Sequence, residues 1–259
     1  MSELIFDDPC VIFALGREGQ GFRRKFRPNQ AFPEAPCRAR FCGPAWLTVL
    51  ALETGIGPQR MTTALEWLLG RPMLGNVPYR PKVVLSAGYS GALQESFKIG
   101  DILLATEVAD SEGNCWPVTW PAVLPKEEWR PPLHRGRLLS VPRLIGTPEE
   151  KRSLGQQHGA AAVDMETAVI ARLCSRHGTP FGCVRAISDT IETALSPQLV
   201  ALLSGGRVSP WRVLTALARR PRLTGELWRL ARDTRLASES LGKALGELLT
   251  LTLSWTADL

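Results

Sequence analysis

Short apolar runs rich in β-branched residues alternate with helical patterns along most of the chain. Runs of strand length cover residues 10–15, 46–52, 82–85, 101–108 and 181–187. Between them, one helical pattern covers residues 58–69 and ends at Gly70, and a second covers residues 166–177 with Gly178 as its C-cap. This alternation predicts an α/β domain whose strands form one sheet.

Two stretches depart from the alternation. Residues 111–145 contain many Pro and Trp residues and little periodicity, so we expect an irregular excursion over one edge of the sheet. From residue 196 onward the pattern is almost entirely helical, with breaks at Gly and Pro. The sequence therefore predicts an α/β domain over residues 1–195 and a basic amphipathic helical extension over residues 196–259.

The positive charge is concentrated in that extension. The 259 residues include 31 Lys and Arg against 25 Asp and Glu, a formal net charge of +6. Eight arginines and two acidic residues lie between positions 206 and 235, so this segment alone accounts for the whole excess. A protein that binds nucleic acid over its whole surface would be basic throughout, so we expect no nucleic-acid partner.

Compartment signals favour the cytoplasm. The N-terminus is acidic, and its apolar run over residues 11–15 is too short for a signal-peptide core. No stretch approaches the roughly 18 apolar residues that a membrane-spanning helix needs. The six cysteines match no zinc or redox spacing, which predicts free thiols in a reducing environment.

Motifs for common cofactors and metals are missing. The turn over residues 54–57 lies between a strand and a helix but lacks the Gly-Lys-Ser/Thr end of a P-loop. It is either a plain tight turn or a turn whose N–H groups, including that of Gly57, face a ligand. None of the three histidines is spaced for metal ligation, so we predict no metal site.

Three carboxylates follow three predicted strands. Glu18 follows the first strand, Glu166 lies at a strand-to-helix junction, and Asp189 directly follows the strand over residues 181–187. Ligands of open α/β sheets bind beyond the carboxyl ends of the strands. Each acid alone is more typical of a helix cap or a solvated loop, but three together predict convergence on one cleft.

Four ordered segments resemble the motifs of the nucleoside phosphorylase and nucleosidase superfamily. They cover residues 54–64, 86–102, 163–168 and 184–189, within a match from about residue 10 to 190. Methylthioadenosine/S-adenosylhomocysteine nucleosidases are the nearest well-known relatives. The resemblance implies a three-layer fold with a central mixed sheet between helices, cleavage of the N-glycosidic bond of a purine nucleoside, and a homodimer.

The resemblance also implies roles for the three acids. Asp189 would protonate the purine at N7, which requires a proton near neutral pH that burial in an apolar pocket would favour, and Ser188 would orient it. Glu166 would bind the ribose hydroxyls beside Met165, and its charge would favour a cationic transition state. Glu18 would activate the attacking water.

The remaining predicted contacts to substrate come from Gly57, Gly88, Tyr89 and Arg185, and we expect Arg185 to brace the site rather than to react. Many relatives have Ser at position 89, and the hexameric phosphorylases have Arg at position 86, where this chain has Ser86. Without that arginine, the nucleophile is either water or phosphate. We expect no cofactor, and phosphate would be a co-substrate in the second case. Glu18 favours water. Three arginines near it are either phosphate ligands or a solvated basic face: Arg17, Arg23 and Arg24.

The basic extension has two interpretations. Apolar stripes with Trp211 and Trp228 alternate with arginines over residues 210–232, which suits either a helix on anionic lipid or a helix packed on the enzyme body. The first interpretation implies peripheral contact with the inner face of the membrane through residues 207–235, and the second does not. The extension also resembles that of phosphorylases associated with bacterial hopanoid biosynthesis, which implies release of adenine from adenosylhopane.

Three other functions stay open. Two are soluble enzymes, a methylthioadenosine/S-adenosylhomocysteine nucleosidase and a futalosine-type nucleosidase. The third is a membrane-associated nucleoside-binding protein without catalysis, which the joint presence of three acids disfavours.

Overall fold

The computed structural model describes residues 8–44, 47–120, 130–197, 200 and 222–255. The strands are β1 (Cys10–Phe13), β2 (Pro28–Phe32), β3 (Arg38–Cys42), β4 (Val49–Glu53), β5 (Met73–Leu74), β6 (Val77–Pro78), β7 (Val84–Ala92), β8 (Ile102–Asp110), β9 (Cys115–Pro117), β10 (Leu133–Ser140), β11 (Ala162–Asp164) and β12 (Phe181–Asp189). The helices are α1 (Gln20–Lys25), α2 (Pro58–Leu69), α3 (Pro148–His158), α4 (Thr167–Arg176) and α5 (Arg222–Trp255).

One mixed sheet organises the described residues. Its order is β11-β10-β8-β12-β7-β1-β4-β3-β2, and β4, β1, β7 and β12 are mutually parallel neighbours. Strand β8 runs antiparallel to β12, and β11 returns to pair antiparallel with β7. Strands β7, β12, β8, β10 and β11 therefore close into a ring, with β1 to β4 continuing the sheet on one side.

Helices cover both faces of this sheet. On one face, Leu65 and Leu68 of α2 pack with Ile170 of α4 in one buried apolar cluster. On the other face, Phe22 of α1 and Leu241 of α5 belong to a second cluster. The predicted three-layer α/β fold with a central mixed sheet is confirmed, because each face of a sheet must be covered to bury its apolar side chains.

Most predicted elements within the described residues are present. Helix α2 covers residues 58–69 as predicted, with Pro58 in its first turn. Helix α4 is shorter by one residue at each end than predicted, and Gly178 beyond it has a φ of 62°, the left-handed conformation that glycine tolerates. Strand β7 extends seven residues past the predicted run, to Ala92.

The prediction of an irregular excursion over residues 111–145 is wrong. This stretch contains β9, which pairs with β8, and β10, which lies between β8 and β11 inside the sheet. In β10 only Leu138, Leu139 and Ser140 are buried, while its first five residues are half-buried or exposed. That strand lacks an alternating pattern, so only its pairing reveals it. Strands β2 and β3 and helix α3 were likewise not predicted.

The helical prediction for the C-terminal extension is confirmed for residues 222–255, which form α5. Between Ala237 and Leu249 this helix buries six apolar side chains against the sheet and α1. Residues 198–199, 201–221 and 256–259 of the predicted extension lie outside the described residues, and these include Trp211 and the run over residues 210–220. Among the described helices, none is long and apolar enough to cross a membrane.

Candidate active site

Glu18 is held inside the loop that follows β1. Its side chain is buried, and its Oε2 accepts a hydrogen bond of 2.7 Å from the Leu15 N–H, while Oε1 accepts one of 3.1 Å from the Tyr89 N–H of β7. Burial raises the pKa of Glu18, and these two N–H donors and the nearby Arg185 guanidinium partly oppose the shift. The result is a fixed carboxylate that is more basic than an exposed glutamate.

Two glycines of β7 make room for two of the predicted acids. A methyl group at Gly88 would lie 2.7 Å from Glu18 Oε1, and one at Gly91 would lie 2.8 Å from Asp189 Oδ2. Both distances are too short for a contact between a methyl carbon and an oxygen atom. Glu18 and Asp189 therefore lie against one strand, three residues apart along it.

Glu166 joins Glu18 in a common electrostatic environment. It is the N-cap of α4, just beyond β11. Burial, together with the negative charges of Asp164 and Glu18, raises its pKa to about 7, although Arg185 and a hydrogen bond from the Gly57 backbone partly oppose the shift. The Gly57 turn therefore faces this cluster, and its contact with a ligand stays a prediction. Met165 precedes Glu166 in the chain and is half-buried.

Asp189 ends β12 with a donor on each carboxylate oxygen. Ser188 Oγ donates to Oδ1 at 2.9 Å, as expected if Ser188 orients the group. Oδ2 accepts from Lys151 Nζ at 2.5 Å. The surroundings of Asp189 therefore differ from the predicted apolar pocket, because a buried ammonium contacts it.

Arg185 braces the sheet beneath the acids. Its guanidinium donates to Asp164 Oδ2 at 3.0 Å and to Ser86 Oγ at 2.6 Å, and it also contacts the Thr167 hydroxyl. This buried ion pair ties β12 to β11 and β7 and matches the bracing role expected of Arg185. The Ser86 hydroxyl is therefore part of this network.

The neighbouring arginines contact protein carboxylates. Arg23 pairs with Glu53 and also donates to the Gly16 carbonyl, and Arg24 lies 3.8 Å from Glu239. Both arginines therefore stabilise the N-terminal loop and its contact with α5. The Arg17 carbonyl accepts from the Tyr89 hydroxyl at 3.1 Å.

Glu18, Glu166, Arg185 and Gly57 thus form one cluster, and Asp189 lies beside it along β7. Sequence reasoning missed Lys151, Asp164 and Gly91. Lys151 carried no signal, because α3 is almost wholly polar and a lysine on such a helix is normally solvated. Asp164 had a usable signal, since it lies in a buried strand two residues before Glu166.

A family model described as the phosphorylase superfamily matches residues 10–201 of the chain. Among curated proteins, the 5′-methylthioadenosine/S-adenosylhomocysteine nucleosidase of Staphylococcus aureus is 25% identical over 190 residues, which cover 65% of this chain and 80% of that protein.

Solved structures share the fold. The native futalosine hydrolase of Helicobacter pylori strain 26695 aligns with a TM-score of 0.67 at 14% identity, over 94% of this chain and 97% of that one. The 5′-methylthioadenosine/S-adenosylhomocysteine nucleosidase of Neisseria meningitidis, in complex with methylthio-immucillin-A, aligns with a TM-score of 0.67 at 16% identity, over 94% and 99%. Since the family model spans most of the chain, the protein belongs to the phosphorylase superfamily and is an enzyme of its type that acts on N-glycosidic bonds.

Proposed function

We propose that the protein hydrolyses the N-glycosidic bond of a purine nucleoside. The observation that carries the proposal is that two glycines of β7 accommodate two of the acids, Gly88 beside Glu18 and Gly91 beside Asp189, while the charge of Glu18 acts on the Glu166 carboxylate. Cleavage of this bond needs an acid at the leaving purine, a base at the nucleophile and negative charge near the ribose.

Each acid has an environment that suits one of these tasks. Glu18 is the base that takes a proton from water, because burial makes its carboxylate more basic. Glu166 binds the ribose hydroxyls, with Met165 beside it. Asp189 protonates the purine at N7, with Ser188 fixing one of its oxygens. As the bond breaks, its electron pair passes to the purine and the positive charge on the ribose is stabilised by the carboxylates.

Water is favoured over phosphate as the nucleophile. Phosphorolysis needs cationic side chains that bind the phosphate. Arg23 pairs with Glu53 and Arg24 lies near Glu239, so both of these arginines face protein carboxylates. Ser86 is bonded to Arg185. We expect adenine release from whichever of the two candidate substrates below is cleaved to proceed at the same rate with and without millimolar phosphate, as measured by chromatography. A rate that depends on phosphate, with a sugar phosphate as product, would overturn the hydrolytic assignment.

Within this class, the proposed substrate is adenosylhopane, whose adenine is released while the triterpene stays in the membrane. Support comes from the first half of α5, where Trp228 is 72% and Leu236 47% exposed beside Arg229, Arg232 and Arg235. Exposed Trp and Leu beside arginines suit an anionic lipid surface. The proposed peripheral contact covers residues 207–235, of which the structure describes those from 222 onward.

A second candidate substrate is methylthioadenosine, favoured by the similarity to the Staphylococcus aureus nucleosidase. The test presents adenosylhopane in liposomes and methylthioadenosine in solution to the same enzyme, with adenine as the common product. Preferential release from adenosylhopane supports the lipid-linked substrate. Cleavage of methylthioadenosine alone supports the second candidate, and release from neither would contradict both.

The expected quaternary structure is a homodimer. Light scattering coupled to size-exclusion chromatography checks this against the chain mass of 28.4 kDa.

A further inference from the structure

A lysine of α3 lies fully buried beside the terminal carboxylate of β12. Lys151 has no exposed surface, and its Nζ donates to Asp189 Oδ2 at 2.5 Å, to the Thr190 carbonyl at 2.7 Å and to the Thr193 carbonyl at 3.3 Å. An ammonium has three N–H donors, so all of them are used. Burial of an ammonium is tolerated only with such partners, and a solvated helix surface would not need them.

The backbone that carries Lys151 is held in a capped helix turn. Lys151 lies in the first turn of α3, where Thr147 caps the helix by accepting a hydrogen bond from the Glu150 N–H. Lys151 holds Oδ2 of Asp189 and Ser188 holds Oδ1, so donors from two different elements fix the plane of one carboxylate. Gly91 of β7 also packs against Oδ2 of Asp189.

We propose that Lys151 is the positioning residue of Asp189 and that its charge stabilises the carboxylate left when Asp189 gives up its proton. This inference rests on the proposed function. In that step the proton moves from Asp189 to purine N7, the electron pair of the glycosidic bond passes to the purine, and Asp189 becomes an anion beside the Lys151 ammonium. Asp189 is partly exposed and regains its proton from solvent.

If Lys151 acts through Asp189, its replacement should slow only those substrates whose leaving group needs a proton. A purine requires protonation to leave, whereas 4-nitrophenolate leaves as a stable anion. The test therefore compares a purine riboside and a 4-nitrophenyl riboside that carry the same 5′ substituent. For Lys151→Met we expect kcat on the purine riboside to fall about 10- to 100-fold, within the range that acid–base catalysis contributes, and kcat on the 4-nitrophenyl riboside to change less than about threefold.

A matched control lies next to it in α3. Arg152 pairs with Glu192 in the segment that also contains Thr190 and Thr193, so Arg152→Met loosens this segment without touching Asp189. We expect Arg152→Met to leave both rates unchanged. If Lys151→Met does not fold, as judged by circular dichroism, Lys151→Gln retains two N–H donors without the charge and is expected to show the same selective loss.

Several outcomes overturn the inference. Equal losses on both substrates would indicate a merely structural role for Lys151, and an unchanged purine rate would exclude any role. Asp189→Asn separates the role of Lys151 from that of Asp189, because a selective loss in this variant without one in Lys151→Met would contradict the lysine assignment alone. A wild-type enzyme that cleaves neither riboside defeats the proposed function and this inference with it.

Discussion

The contact between Glu18 and Gly88 depends on the absence of a side chain at position 88 of β7. A side chain at position 88 would occupy the space of Glu18 Oε1. Glu18 is held by two backbone N–H donors, so it has little freedom to move aside without losing one of them. This glycine is needed for its lack of a side chain, since it is not among the residues with positive φ.

Gly88→Ala is therefore expected to lower kcat at least tenfold while the protein still folds, because the Glu18 carboxylate is displaced from its base position. Steady-state kinetics with a purine nucleoside measures this. Gly225→Ala is the control, since nothing lies within 4 Å of a methyl group there, and replacing glycine in a helix should add about 0.5–1 kcal/mol of stability. Full activity of Gly88→Ala would contradict the prediction.

The raised pKa of Glu166 makes folding pH-dependent. Folding raises this pKa from 4.5 to about 7, so the native state binds more protons than the unfolded state between these values. The free energy of unfolding therefore falls as pH rises through this window, by at most about 3 kcal/mol from this group. The cost of an ionised carboxylate in the buried cluster is the physical reason.

Glu166→Gln should remove this contribution. Relative to wild type, we expect the variant to gain stability between pH 5 and pH 8, measured by urea unfolding at both values. Glu18 is present in both proteins, so its own titration largely cancels in the comparison. Parallel stability curves for the two proteins would show that Glu166 does not titrate in this range. The same variant should lose activity, since it lacks the charge near the ribose.

At the scale of elements, α5 joins the α/β body through a close crossing with α1. Gly21 and Gly242 face each other there, and a methyl group on Gly242 would overlap the Gly21 backbone. Ser238 strengthens the crossing, because its hydroxyl accepts from the Gly21 N–H at 3.2 Å and donates to the Arg17 carbonyl at 3.1 Å. This contact fixes the loop that carries Glu18, so α5 also supports the site.

Gly242→Ala is expected to lower the free energy of unfolding by about 1–3 kcal/mol, because two helix backbones must move apart. Gly246→Ala in the same helix is the matched control. A methyl group at position 246 meets only the flexible Lys25 side chain, at 3.1 Å, so this variant should be neutral or stabilised. Thermal or urea unfolding of both measures the difference, and equal effects would show that the crossing is not the tight contact described.

At the scale of the molecule, charge and exposed apolar surface coincide on the first half of α5. Each basic residue near an anionic membrane contributes about 1 kcal/mol, so replacing Arg229, Arg232 and Arg235 by Ala should weaken vesicle binding tenfold or more. Cosedimentation with vesicles containing phosphatidylserine measures this, and the binding should decline as salt is raised. Replacing three exposed arginines elsewhere, Arg38, Arg172 and Arg176, is the matched control. Equal losses in the two triple variants would indicate nonspecific attraction.

The sequence predicted those elements and candidate residues whose signals lie within one short segment of the chain. Helix α2 was predicted because its apolar spacing, first-turn proline and terminal glycine act within one element. The three acids were predicted because each follows a strand. Strand β10 was not, since its first five residues are never fully buried and its place between β8 and β11 depends on residues far along the chain.

The sequence by itself determined the α/β class and the helices α2 and α4, and it identified Glu18, Glu166 and Asp189 as the candidate acids. The tertiary structure alone decided how these acids are held. Lys151 reaches Asp189 across 38 positions, and Gly88 accommodates Glu18 across 70. Such contacts leave no local pattern, because burial of a charge is decided by the partner that meets it and not by its neighbours in the chain.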